Sequence, residues 1–134
     1  MLVQRSRMYA WKHRPIKMRG GIANMSNISS DVIRGYNDTI ILYLLLEQPS
    51  YGYEISKQIK NLSEEKYIIK ETTLYSAFTR MEKNEYIESF SSEENGGKRR
   101  TYYRITDTGR QYYREKCAEW RITKEVIEKF VRED

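Results

Sequence analysis

The sequence predicts a mainly α chain with one small β-hairpin and a long C-terminal helix, and three observations carry that reading. Apolar residues recur at helical spacing in three segments between positions 32 and 84. Asn95-Gly96 separates two β-rich runs, the pattern of a tight hairpin. From position 107 onward a single amphipathic pattern runs almost to the end of the chain.

The first helix is expected over 32–47, capped near Ser30 or Asp31, with Ile33, Ile40, Ile41, Leu44 and Leu45 on its apolar side and Pro49 just past its end. Its run 40-IILYLLL-46 is apolar almost all round, so the helix must be covered on more than one side. A second helix is expected from Tyr51 to about Leu62, with Ile55, Ile59 and Leu62 toward the core and Lys57 and Lys60 away from it. The triplet 67-YII-69 reads as a short strand. A third helix, about 71–84, buries Leu74, Ala77, Phe78 and Met81. Strands at 86–91 and 99–105 then flank the Asn95-Gly96 turn. Three helices followed by a hairpin is the layout of a winged helix-turn-helix.

Composition narrows the function. The chain has 134 residues, enough for one modest core, and a net charge of +5. Residues 1–24 hold six Lys/Arg and no acid, so residues 25–134 carry 18 basic against 19 acidic side chains. A polyanion would therefore have to meet a local patch. Cys117 is the only cysteine and His13, in the leader, the only histidine. No internal disulfide, zinc cluster or histidine-based catalytic triad can be assembled in one body from that set. No glycine-rich phosphate loop occurs either, and the expectation is a non-enzyme without cofactor or metal, in a reducing, cytoplasmic setting. No apolar run is long enough to span a bilayer.

Three parts are expected: a disordered basic leader over 1–27, a DNA-binding domain over 28–106 and a dimerisation helix over 107–134. The leader reads as a tag or an overlong start with Met25 opening the natural chain. Its Arg-rich, acid-free character also suits a transit peptide or a nucleic-acid-binding arm.

In a helix-turn-helix the third element enters the major groove and the wing flanks it along the phosphates. The third helix exposes Thr72, Thr73, Ser76, Thr79, Arg80 and Lys83, short polar groups and cations suited to groove entry and backbone anchoring. On strand 99–105, Arg100, Tyr102 and Arg104 share one face and Thr101, Tyr103 and Ile105 the other, with Lys98 and Arg99 nearer the tip. A solvated hairpin edge protected by cations is the competing reading of the wing.

The segments 51-YGYEISKQI-59, 73-TLYSAFTRMEKNEYIES-89 and 96-GGKRRTYYRITDTGR-110 resemble the PadR family of winged-helix transcriptional regulators, over about residues 32–131. The resemblance implies a homodimeric repressor on a palindromic double-stranded operator. It implies DNA contacts from Tyr51, Lys57, Lys70, Thr72, Thr73, Tyr75, Ser76 and Arg80, and from Lys98, Arg99 and Arg100 in the wing, with the Tyr75 hydroxyl on a phosphate. One departure is Lys70-Glu71-Thr72, where family members carry a good capping residue. Lysine caps poorly, and Glu71 sits badly against phosphate, so no DNA contact is assigned to Glu71.

The terminal helix, about 107–132 and roughly 38 Å long, carries Tyr113, Cys117, Trp120, Ile127 and Val131 on one seam, broadened by Ile122, Val126 and Phe130. One small domain cannot cover such a stripe, and a twofold dimer would. In short multidrug-sensing members of the family, a tryptophan at the place of Trp120 stacks on flat aromatic drugs between subunits. The resemblance thus implies a slot formed by Trp120 with Asp38, Thr39, Leu42 and Lys124, for a small aromatic effector. Interface packing is the other reading of Trp120. For Cys117 the expectation is packing rather than redox sensing. A protein-interaction module without DNA readout is the alternative for the whole chain.

Overall fold

The structure, a computed structural model, describes residues 28–94 and 97–132. The expectations for the leader and for the Asn95-Gly96 turn fall outside the described residues, as does the side chain of Lys98. The chain runs α1 (Ser30–Ile33), a 3-10 turn (Arg34–Tyr36), α2 (Asn37–Leu45), β1 (Ser50–Tyr51), α3 (Gly52–Leu62), α4 (Glu71–Lys83), β2 (Ile87–Glu94), β3 (Lys98–Ile105) and α5 (Asp107–Ile127). It is a mainly helical winged helix with a small antiparallel sheet in the order β1-β3-β2.

The first expected helix is interrupted. Ser29 caps α1, its Oγ accepting from the Val32 N–H at 3.3 Å, and the path tightens into the 3-10 turn around Gly35 before α2 begins. Glycine is a weak helix former, which favours the change of pitch there. The core joins Ile41, Leu42 and Leu45 of α2 to Ile55 and Ile59 of α3, the stripe Leu74, Ala77, Phe78 and Met81 of α4, and Ile87, Tyr103 and Ile105 of the sheet. Leu62 does not join it. At the last position of α3 it is 66% exposed, on the rim of an apolar groove of about 420 Å³ with Ile40, Tyr43 and Tyr67.

The expected strand at 67–69 does not form. Among the described residues no strand pairs with this segment, and side-chain bonds hold it instead. The Tyr67 hydroxyl donates to Asn37 Oδ1 at 2.6 Å, and the Tyr67 N–H donates to Ser63 Oγ at 3.0 Å. The strand that does form, β1, pairs Ser50 with Tyr103 and Tyr51 with Tyr102. Two residues are too few to leave a periodic signal.

The β2–β3 ladder runs from Ile87↔Ile105 to Glu94↔Lys98, leaving three residues between the strands, with the positive φ of +87° on Gly97. Tyr103 stacks on Phe78 with ring centroids 4.0 Å apart, fastening the sheet to α4.

Two compact units divide the described chain, Ile28–Lys116 and Cys117–Arg132. The first includes the opening turns of α5. The Thr106 hydroxyl donates to the Glu85 carbonyl at 2.7 Å and accepts from the Gly109 N–H at 2.9 Å, and Tyr112 stacks on Tyr86 at 4.0 Å. Gly109 is buried against the Tyr86 carbonyl, where a Cβ would stand 2.1 Å from the oxygen. The second unit carries the end of α5, which stops at Ile127 rather than near 132. Its Ile122, Val126, Ile127, Phe130 and Val131 are all exposed, and Cys117 is half-buried.

Candidate nucleic-acid interface

With one side of α4 fixed in the core, 100° per residue places the rest. Thr72, Ser76, Thr79 and Lys83 form the outward stripe, all exposed, while Tyr75 and Arg80 lie on opposite flanks. Lys70 occupies the cap position without a side-chain bond to the helix, as a lysine there should. The first N–H groups of α4 therefore keep their donors, and Thr72 and Thr73 stand beside them.

The flanks differ. On one, the Arg80 guanidinium reaches Asp38 of α2, a carboxylate whose side chain is only 14% exposed. These residues, expected in the DNA-binding and ligand-binding sets respectively, are partners in a polar cleft of about 470 Å³ also lined by Thr72, Thr73, Ser76 and Tyr112. Burial, then the negative charge of Asp38, raises the Tyr112 phenol above its ordinary pKa.

On the other flank, Tyr75 faces the wing. It lines a notch of about 320 Å³ with Tyr51, Gly52, Tyr53, Arg100, Thr101 and Tyr103. The wing strand presents its cations on an aromatic bed. The Arg100 guanidinium lies over the Tyr51 ring at 4.3 Å and that of Arg104 over Phe90 at 4.1 Å. Tyr102 stands between them, 5.2 Å from Tyr51 and 5.7 Å from Phe90. Stacking of this kind holds a guanidinium in place while leaving its N–H groups for an acceptor. Arg99 pairs with Glu93 across the ladder at 3.4 Å, both half or more exposed. Burial, aided by the nearby Glu82 and Tyr75, raises the Tyr103 phenol above its ordinary value.

The structure therefore gathers Tyr51, Tyr75 and Arg100 at the notch and Thr72, Thr73, Ser76 and Arg80 at the polar cleft. Lys57 is exposed on α3 and does not line either recess. The expected ligand residues fall in both units. Asp38 is in the polar cleft and Thr39 on the apolar groove, while Trp120 and Lys124 belong to the second unit. Leu42 is a correction: it has no exposed surface and fills the core, so it cannot wall a ligand slot. Sequence reasoning missed Gly52 and the role of β1 in carrying Tyr51 under Arg100. Among the described residues no group of three or more His, Cys, Asp or Glu could hold a metal, and no helix is long and apolar enough to cross a membrane.

A family model for PadR-like transcriptional regulators matches residues 41–115, from the middle of α2 into α5. The chain belongs to this family. The matched PadR region contains the whole of α4, the wing and the notch. The chain is similar to uncharacterized protein X of Lysinibacillus sphaericus, with 47% identity over 104 residues, 78% of this chain and 95% of that one. A solved transcriptional regulator from Clostridium thermocellum shares 66% identity at a TM-score of 0.73, covering 77% of this chain and all of that one (100%). A PadR family transcription regulator from Clostridium difficile shares 41% identity at a TM-score of 0.64, over 72% and 98% of the two chains.

Proposed function

We propose that this PadR-family protein is a cytoplasmic repressor that binds a palindromic DNA operator as a homodimer, without catalytic activity, and that a flat aromatic ligand at the dimer centre releases it. The observation that carries the DNA reading is the exposed hydroxyl and lysine stripe of α4 beside a wing whose arginines are held on aromatic rings. A helix of that section fits the major groove while the wing reaches the adjacent backbone. The Arg99–Glu93 pair is exposed, so it contributes at most about 1 kcal/mol and can exchange its carboxylate for a phosphate.

The dimer reading rests on the apolar residues of 122–131, which their own unit leaves exposed. A copy related by a twofold axis would cover them and set two recognition helices about 34 Å apart, one DNA turn. Stacking of a planar ligand between paired Trp120 rings would bias that spacing.

The experiment is duplex binding across a salt series, with inverted repeats found in the DNA upstream of the gene as probes. Wild type should lose affinity steeply with salt, and Arg99→Ala/Arg100→Ala should flatten the log–log slope by roughly one unit for each phosphate that is no longer neutralised. Binding that ignores salt, or no binding at all, would favour a protein-interaction module instead.

A further inference from the structure

Gly52 is the first residue of α3, directly after Tyr51. It is buried, and the space where its side chain would stand is filled by the phenol of Tyr75. A Cβ built on Gly52 would lie 2.2 Å from the Tyr75 hydroxyl oxygen and 2.8 Å from Cζ. Neither distance is possible between unbonded atoms, so any other residue at 52 must drive the phenol out of this position. The ring has somewhere to go, because Tyr75 is 44% exposed and meets Phe78 edge-to-face, at 5.3 Å, on its core side.

We propose that Gly52 is a positioning residue for DNA binding: its missing side chain seats the Tyr75 hydroxyl in the notch beside the stacked Arg100, so that one DNA phosphate meets both. This rests on the DNA-binding reading above. Two neighbours in sequence then set two groups that are far apart in sequence, Tyr51 by carrying the Arg100 guanidinium and Gly52 by admitting the Tyr75 phenol. A hydroxyl donor and a guanidinium on adjoining walls of a recess of about 320 Å³ suit a phosphate, which accepts from several directions at once. With the phenol turned toward solvent, the phosphate would keep only the arginine.

The test measures full-length protein on a fluorescein-labelled, mixed-sequence duplex at low salt, since a phosphate contact is indifferent to sequence. Gly52→Ala should weaken binding about tenfold, the size of one hydrogen bond to a charged group, and Tyr75→Phe should do the same. The double variant should be no weaker than Tyr75→Phe alone, because Gly52 acts only through that hydroxyl. Wild-type affinity in Gly52→Ala, or losses that simply add, would overturn the proposal, and additivity is also what a merely structural role would give. If Gly52→Ala fails to fold, Gly52→Ala/Tyr75→Leu should restore the wild-type melting temperature, and failure to do so would remove Tyr75 from the explanation. Absence of salt-dependent binding by the wild type would instead sink the DNA reading itself.

Discussion

Asp38 and Arg80 show how one contact redirects two residues that the sequence sends to different sites. Arg80 sits on the edge of α4, where a cation could reach a DNA backbone, yet its guanidinium is turned to a carboxylate on α2. With Arg80 half exposed, the pair contributes on the order of 1 kcal/mol or less to stability. Its larger effect is expected on binding, where the acid would compete with a phosphate for the arginine. Asp38→Asn keeps the shape and removes the competing charge. It should leave the melting temperature within a few degrees, raise duplex affinity about threefold at low salt and steepen the salt slope by up to about one unit per subunit. Unchanged affinity and slope would show that Arg80 makes no phosphate contact. The pairing was not legible because residues 38 and 80 meet only through the packing of α2 on α4. Leu42 was misplaced for a related reason: in 40-IILYLLL-46 every face is apolar, so periodicity has no phase, and only the fold decides that Leu42 is buried while Tyr43 is 55% exposed.

Elements with one-sided patterns were legible almost residue by residue, as in α4, where Leu74, Ala77, Phe78 and Met81 form the buried stripe that 3.6-residue spacing requires. Those defined by a partner were not. β1 exists because β3 offers it a ladder, and 67–69 stays irregular because no described strand does. The seat of α5 belongs to the same class, since it depends on a close approach between Gly109 and the backbone of Tyr86. Unlike the side chain opposite Gly52, a carbonyl fixed between α4 and β2 has little freedom to withdraw. Gly109→Ala should therefore cost at least about 2 kcal/mol and lower the melting temperature by roughly 10 °C. The Thr106 hydroxyl bonds and the Tyr86–Tyr112 stack lie at the same junction and would be strained with it. A melting curve that matches wild type would mean that the α5 junction yields more readily than its packing indicates.

At the scale of the whole molecule, the proposed ligand control would need a second copy, since a single chain supplies only one Trp120. That ring is 46% exposed, on the unit whose other apolar residues are open to covering by a partner. Twofold symmetry would bring the two indoles near one another, and a gap of one ring's thickness would offer a planar compound a stacking surface on each face. Charge decides which compound. Lys124 is one helical turn beyond Trp120 and exposed, so a cationic dye would meet a like charge while an anionic one would meet a counter-ion. Anthraquinone sulfonate should accordingly bind more tightly than an acridinium dye, with a difference that shrinks as salt rises. Tryptophan quenching is best read without residues 1–24, because Trp11 would otherwise contribute half of the indoles. The removal should spare specific binding to the inverted repeat and lower only nonspecific affinity, since six cations leave with the segment. In that shortened protein, titration calorimetry should find one anthraquinone sulfonate per dimer and none with Trp120→Ala, while sedimentation shows both forms as dimers. If Trp120→Ala sediments as a monomer, the indole is an interface anchor. If it stays dimeric and still binds the dye, the slot lies elsewhere.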